Sequence, residues 1–73
     1  MPLTMLNPGE EGLIVECRAQ ESSKRFLENL GIVPGVTVSI INEINGNIIL
    51  SVKGARIALS KGLAQQLIIR QNR

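Results

Sequence analysis

The sequence contains no His, Asp, Trp or Tyr, and Phe26 is its single aromatic ring. Without imidazole or aspartate neither a Ser-His-Asp nor a Cys-His relay can be assembled, and a thiolate and imidazole zinc cage is equally out of reach. Two-carboxylate chemistry would have to draw on six Glu. The expectation is a protein that is not an enzyme. Cys17 stands alone, so no internal disulfide can form and an oxidising compartment offers no advantage, which points to the cytoplasm. No apolar run exceeds three residues, against the roughly 20 that a membrane span requires. No basic residue precedes Arg18 to open a signal peptide. With one ring and a net charge of +2, both base stacking and a strong electrostatic footprint are lacking, so nucleic acid is not an expected partner.

What is present suffices for one domain over residues 1–73. Apolar residues make up 44 % of the chain and charged ones 19 %, enough to collapse and too little charge for a disordered tail. A core this small yields little net stability by itself, so a docking partner or weak self-association would add to it.

Hydrophobic patterning divides the chain into short elements. Met1 to Leu6 leads into an Asn7-Pro8-Gly9 turn, after which Gly12 to Ala19 reads as a strand with Leu13, Val15 and Cys17 on one face. Ser22 to Leu30 changes to helical spacing, with Phe26, Leu27 and Leu30 on one stripe, Ser22 or Ser23 as N-cap and Gly31 as the stop. Pro34-Gly35 then fits a type II turn, whose third residue needs a positive φ. Val36 to Ile44 and Asn47 to Lys53 form a hairpin. A two-residue Asn45-Gly46 loop would set Val38 against Lys53 and Ile40 against Ser51, so the pattern favours a three-residue loop, Ile44 to Gly46, with Gly46 left-handed. That register faces Val38 with Val52, Ile40 with Leu50 and Asn42 with Ile48 on one side, and Ile41 with Ile49 on the other. Gly54 reverses the chain into Arg56-Ile57-Ala58-Leu59, Ser60 caps a helical turn through Ala64, and Leu67 to Arg70 closes the fold. The expected class is mainly β, a small partly open barrel of about five strands, with a short helix after the first strand and a helical turn before the last.

Three landmarks then stand in order: Met5-Leu6-Asn7-Pro8-Gly9-Glu10, the block Lys24-Arg25-Phe26-Leu27-Glu28-Asn29-Leu30-Gly31-Ile32-Val33-Pro34-Gly35, and Arg56-Ile57-Ala58-Leu59 with Ala64. The chain thereby resembles the FeoA family, the small cytosolic partners of the bacterial ferrous-iron permease FeoB. The resemblance implies an SH3-like barrel and a role in ferrous iron uptake through the cytoplasmic, GTP-binding part of that permease. The same domain type is similar to the C-terminal module of iron-dependent transcriptional repressors, which gives the alternative of a stand-alone regulatory module. Some family members associate with metal ions; the ligand types for such a site are largely missing here, and no cofactor is expected.

Candidate contact residues follow from patterns that local stability does not explain. Lys24 and Arg25 fall in the predicted first helical turn, where the dipole disfavours cations by about 0.3 to 1 kcal/mol each. Glu28, four residues after Lys24, supplies an ion pair in the poorer orientation. Together they suggest a surface for an acidic patch on a partner, against the plainer reading of solubility. Ile41 and Ile49 on an outer sheet face suggest an apolar anchor, unless Leu3 or Met5 folds across them. Gly31, Pro34, Gly35, Gly46 and Gly54 are read as stops and turns, since no Gly-rich loop leads into a Lys-Ser or Lys-Thr helix start.

Overall fold

Runs rich in Ile, Val and Leu become strands here because each is bounded by residues that let the backbone reverse. The computed structural model describes residues 1–71. Its strands are β1 (Glu11–Cys17), β2 (Thr37–Ile44), β3 (Asn47–Val52), β4 (Ala55–Ser60) and β5 (Leu67–Gln71). A nine-residue helix, α1 (Glu21–Asn29), fills the β1–β2 connection, and one helical turn, α2 (Lys61–Ala64), joins β4 to β5. All pairings are antiparallel and the order is β4-β3-β2-β1-β5, so β4 and β5 are edges and the barrel is not closed. The concave side buries Ile14, Val38, Ile40, Ile48, Leu50, Val52, Leu59, Leu67 and Ile69, with Leu27 and Ile32 from the β1–β2 connection and Ala64 from α2.

The leading segment is part of this core. Leu3, in a 3-10 turn over Leu3–Met5, is fully buried, and Leu6 nearly so, while Met5 is 64 % exposed. Pro2 bridges to Ile68, the Met1 carbonyl accepts from the Ile69 N–H at 2.6 Å, and the Met1 ammonium donates to the Ile69 carbonyl at 2.9 Å. The start of the chain therefore covers part of the β5 edge.

Two bulges correct the predicted faces. In β1 the inward residues are Gly12 and Ile14, and Leu13 and Val15 turn outward. Val15 is an extra residue between the pairs Ile14↔Ile69 and Glu16↔Ile68, which brings Cys17 back against the core. Gly12 leaves room for its neighbours: a Cβ there would lie 2.8 Å from Ile69 Cδ1 and 3.1 Å from Leu6 Cδ1, so those side-chain ends would have to shift. In the β2–β3 hairpin, Val38↔Val52, Ser39↔Ser51 and Ile40↔Leu50 pair as expected, but the extra residue is Ile41 within the strand. Beyond it Asn42 faces Ile49 and Ile44 faces Asn47, leaving a two-residue Asn45-Gly46 loop in place of the three-residue one. Both loop residues are left-handed, with φ of 51° and 80°, the requirement of a type I′ turn. The β3–β4 hairpin closes the same way through Lys53 and Gly54, with φ of 51° and 83°.

Candidate interaction surface

The helix after β1 is short, and the way it ends fixes how it sits. Its last turn forms a Schellman motif: the Gly31 N–H donates to the Glu28 carbonyl and the Ile32 N–H to the Leu27 carbonyl, both at 2.9 Å. Gly31 occupies the left-handed position at φ 83°. The accompanying apolar contact is supplied by Leu27 and Ile32, 0 % and 1 % exposed. Immediately beyond, the Val36 N–H donates to the Val33 carbonyl at 3.2 Å across Pro34-Gly35, and the Gly35 N–H donates to the Ile14 carbonyl at 2.8 Å. Helix and turn are thus stapled to β1, leaving the rest of α1 outward.

The predicted stripe of Phe26, Leu27 and Leu30 is narrower than expected. Leu27 is buried and Leu30 packs at the margin, but Phe26 is 51 % exposed. A helix of nine residues anchored at its C-terminal end buries a single full position, and Phe26 lies 100° around from it. The helix begins at Glu21 with Gln20 as an N-cap that makes no side-chain bond, so neither Ser22 nor Ser23 caps it. Lys24 and Arg25 accordingly sit at the fourth and fifth helical positions, where less of the dipole penalty applies than at the start. Lys24 is half-buried, and Arg25 and Glu28 are exposed. Ion pairs join Arg18 to Glu16 and Lys61 to Glu43, each at 3.2 Å. Among the described residues Lys24, Arg25 and Glu28 take part in none.

The other predicted anchor is placed differently. Ile41 occupies the β2 bulge and Ile49 stands opposite Asn42, so the Ile41–Ile49 pair does not form. Both are half-buried, and the leading segment does not join them, since Leu3 goes to the main core and Met5 to solvent. The structure therefore groups Lys24, Arg25, Phe26 and Glu28 on one helix and leaves Ile41 and Ile49 on the sheet. Phe26 is the contact candidate that the pattern of the sequence hid, and the shortness of the helix is the one signal that pointed to it.

Two shallow clefts open to solvent. One lies beside Glu10, Glu11, Ser39 and Gln71, where Glu10 accepts from the Asn7 N–H and the Gln71 side-chain amide, both at 2.7 Å. The other lies between the starts of α1 and α2, beside Arg18, Gln20, Ser23 and Gln66. Among the described residues no group of three or more His, Cys, Asp or Glu is gathered where it could hold a metal ion, and no helix is long and apolar enough to cross a membrane.

Comparison with known proteins is consistent along the length of the chain. The family model for the FeoA domain matches residues 1–71. A Methanocaldococcus jannaschii protein that carries the provisional name Fe(2+) transport protein A is 32 % identical over 68 residues, 93 % of this chain and 83 % of that protein. A crystal structure of an iron uptake regulatory protein, FeoA, superposes with a TM-score of 0.89 at 34 % identity, covering 97 % of this chain and 95 % of that one. A manganese-dependent transcriptional repressor shares the fold, with a TM-score of 0.91 at 18 % identity, 99 % of this chain matching 36 % of the repressor. Sequence and structure agree over nearly the whole chain, and on that basis the chain belongs to the FeoA domain family of Fe(2+) transport.

Proposed function

We propose that this chain is a non-enzymatic cytoplasmic accessory of ferrous iron uptake, which binds the cytoplasmic, GTP-binding part of an FeoB-type permease and modulates its assembly or activity. The observation that carries this reading is the outer face of α1. It shows Arg25, Phe26 and Glu28 to solvent, with Lys24 at its margin, and none of the charges is used within the described fold. An exposed aromatic beside a guanidinium is the composition of an interface anchor. The helix is held at one end by Leu27, Ile32 and the Gly31 stop, so these side chains are presented at a fixed angle without being needed for the core. The partner surface that fits is apolar at its centre and acidic at its rim.

The test is binding to the purified cytoplasmic domain of the permease at low and moderate salt. Phe26→Ala is expected to weaken binding by about 1 to 2 kcal/mol at both salts. Lys24→Glu with Arg25→Glu is expected to weaken it mainly at low salt, since rim charges act through screened attraction. Unchanged binding by both variants would overturn the reading.

A further inference from the structure

The two edges of the sheet are treated differently. The β5 edge is partly covered by Met1 and Pro2, whereas among the described residues no strand or bridge pairs with the outer side of β4. The ladder from β3 to β4 runs without irregularity from Val52↔Ala55 to Asn47↔Ser60. A two-residue loop makes the closing pair Val52–Ala55 a hydrogen-bonded one, and alternation along an antiparallel ladder then turns Ile57 and Leu59 towards β3. The backbone N–H and C=O of Arg56 and Ala58, and the N–H of Ser60, consequently face the free side. Among the described residues none of these groups has a further partner. Natural edges of this kind are usually blunted by a bulge, a proline, charged side chains or a cover; β4 has neither bulge nor proline, no strand pairs with its outer side among the described residues, and Arg56 is its one charged residue.

The side chains on the outer face add chemistry. Arg56 and Ala58 are exposed, and Ala58 stands beside the half-buried Ile49. Arg56 and, in the adjoining turn, Lys53 have no acidic partner among the described residues, whereas Lys61 is paired with Glu43. We propose that β4 is a docking edge for an extended acidic segment of a protein partner. The segment adds as a further strand, exchanges backbone hydrogen bonds with Arg56 and Ala58, sets a carboxylate against Arg56 and lays an apolar side chain over Ala58 towards Ile49. A second copy offers no such complement: antiparallel self-pairing centred on Ala58 would set Arg56 of one copy against Ser60 of the other, with no carboxylate opposite it.

The test titrates the isotopically labelled chain with the synthetic peptide Thr-Glu-Thr-Val-Thr-Glu-Thr, blocked at both ends, and with its counterpart carrying Lys in place of Glu. The acidic peptide is expected to shift the amide resonances of Arg56, Ala58 and Ser60 and to slow their hydrogen exchange, while the Lys peptide leaves them unchanged. Arg56→Glu is expected to weaken the acidic peptide at least tenfold and to admit the Lys peptide. Ala58→Pro removes an outward N–H without touching the ladder to β3, and it should abolish the response with the remaining spectrum retained. No shift at millimolar peptide, an equal response to both peptides, or shifts confined to α1 would overturn the proposal. Concentration-dependent shifts along β4 without peptide would overturn it too, in favour of a second copy. Since the probe is a peptide and α1 is not involved, the outcome is independent of whether the permease binds through Phe26.

Discussion

The β1–β2 crossover and the β2–β3–β4 meander meet the same core by different means. The meander supplies six deeply buried side chains, Val38, Ile40, Ile48, Leu50, Val52 and Leu59, on strands paired along their length apart from the bulge at Ile41. The crossover supplies chiefly Leu27 and Ile32, locked by one Schellman motif, and α1 makes no broad contact with any strand. Of these two regions, the meander therefore carries the larger share of the core. The crossover holds the unpaired charges of α1 and the exposed ring, on an element that can be altered without dismantling the sheet.

The comparison breaks most severely at the centre of the meander. Leu50→Ala should cost about 2 to 5 kcal/mol, close to the whole stability of so small a domain, and urea unfolding followed by circular dichroism should show loss of the folded baseline or a much lower midpoint. Retention of the wild-type midpoint would contradict the assignment of stability to these strands. Leu27→Ala, towards the lower end of the same range at about 2 kcal/mol, sharpens the contrast. Amides of residues 24 to 30 should lose exchange protection while those of β3 keep theirs; uniform loss across both would make α1 integral to the sheet. The smallest effect belongs to Lys53, a non-glycine residue held at φ 51° where a type I′ turn prefers Asn. Lys53→Asn is expected to raise stability by about 0.5 to 1 kcal/mol, read as a higher midpoint with the slope unchanged.

Much of this architecture was legible from residues alone, because turn chemistry and periodicity act locally. Pro34-Gly35, the Gly31 stop, the Ser60 cap with its Oγ accepting from the Leu63 N–H at 3.3 Å, and the five strands all followed from neighbours in the chain. The misplaced features involve an extra residue. Alternation in β2 and β3 shows that one residue must be absorbed between Ile40 and Asn47, yet Ile41 in a bulge and Ile44 in a longer loop satisfy that need equally from the sequence. In β1 the bulge at Val15 interrupts the alternation, so Leu13, Val15 and Cys17 looked like one face. Phe26 was misplaced for another reason: helical spacing ranks directions around an axis, whereas the amount of core within reach of a short helix is a tertiary property.

The bulge at Ile41 separates chain length from strand register. On either side of it the partners are Ile40 with Leu50 and Asn42 with Ile49, consecutive steps on β3. Excising Ile41 would thus leave every remaining side chain on its present side and convert the ladder into a regular one. The hairpin can be shortened by one residue without turning its interior outward, a freedom that a strand of uninterrupted alternation does not have.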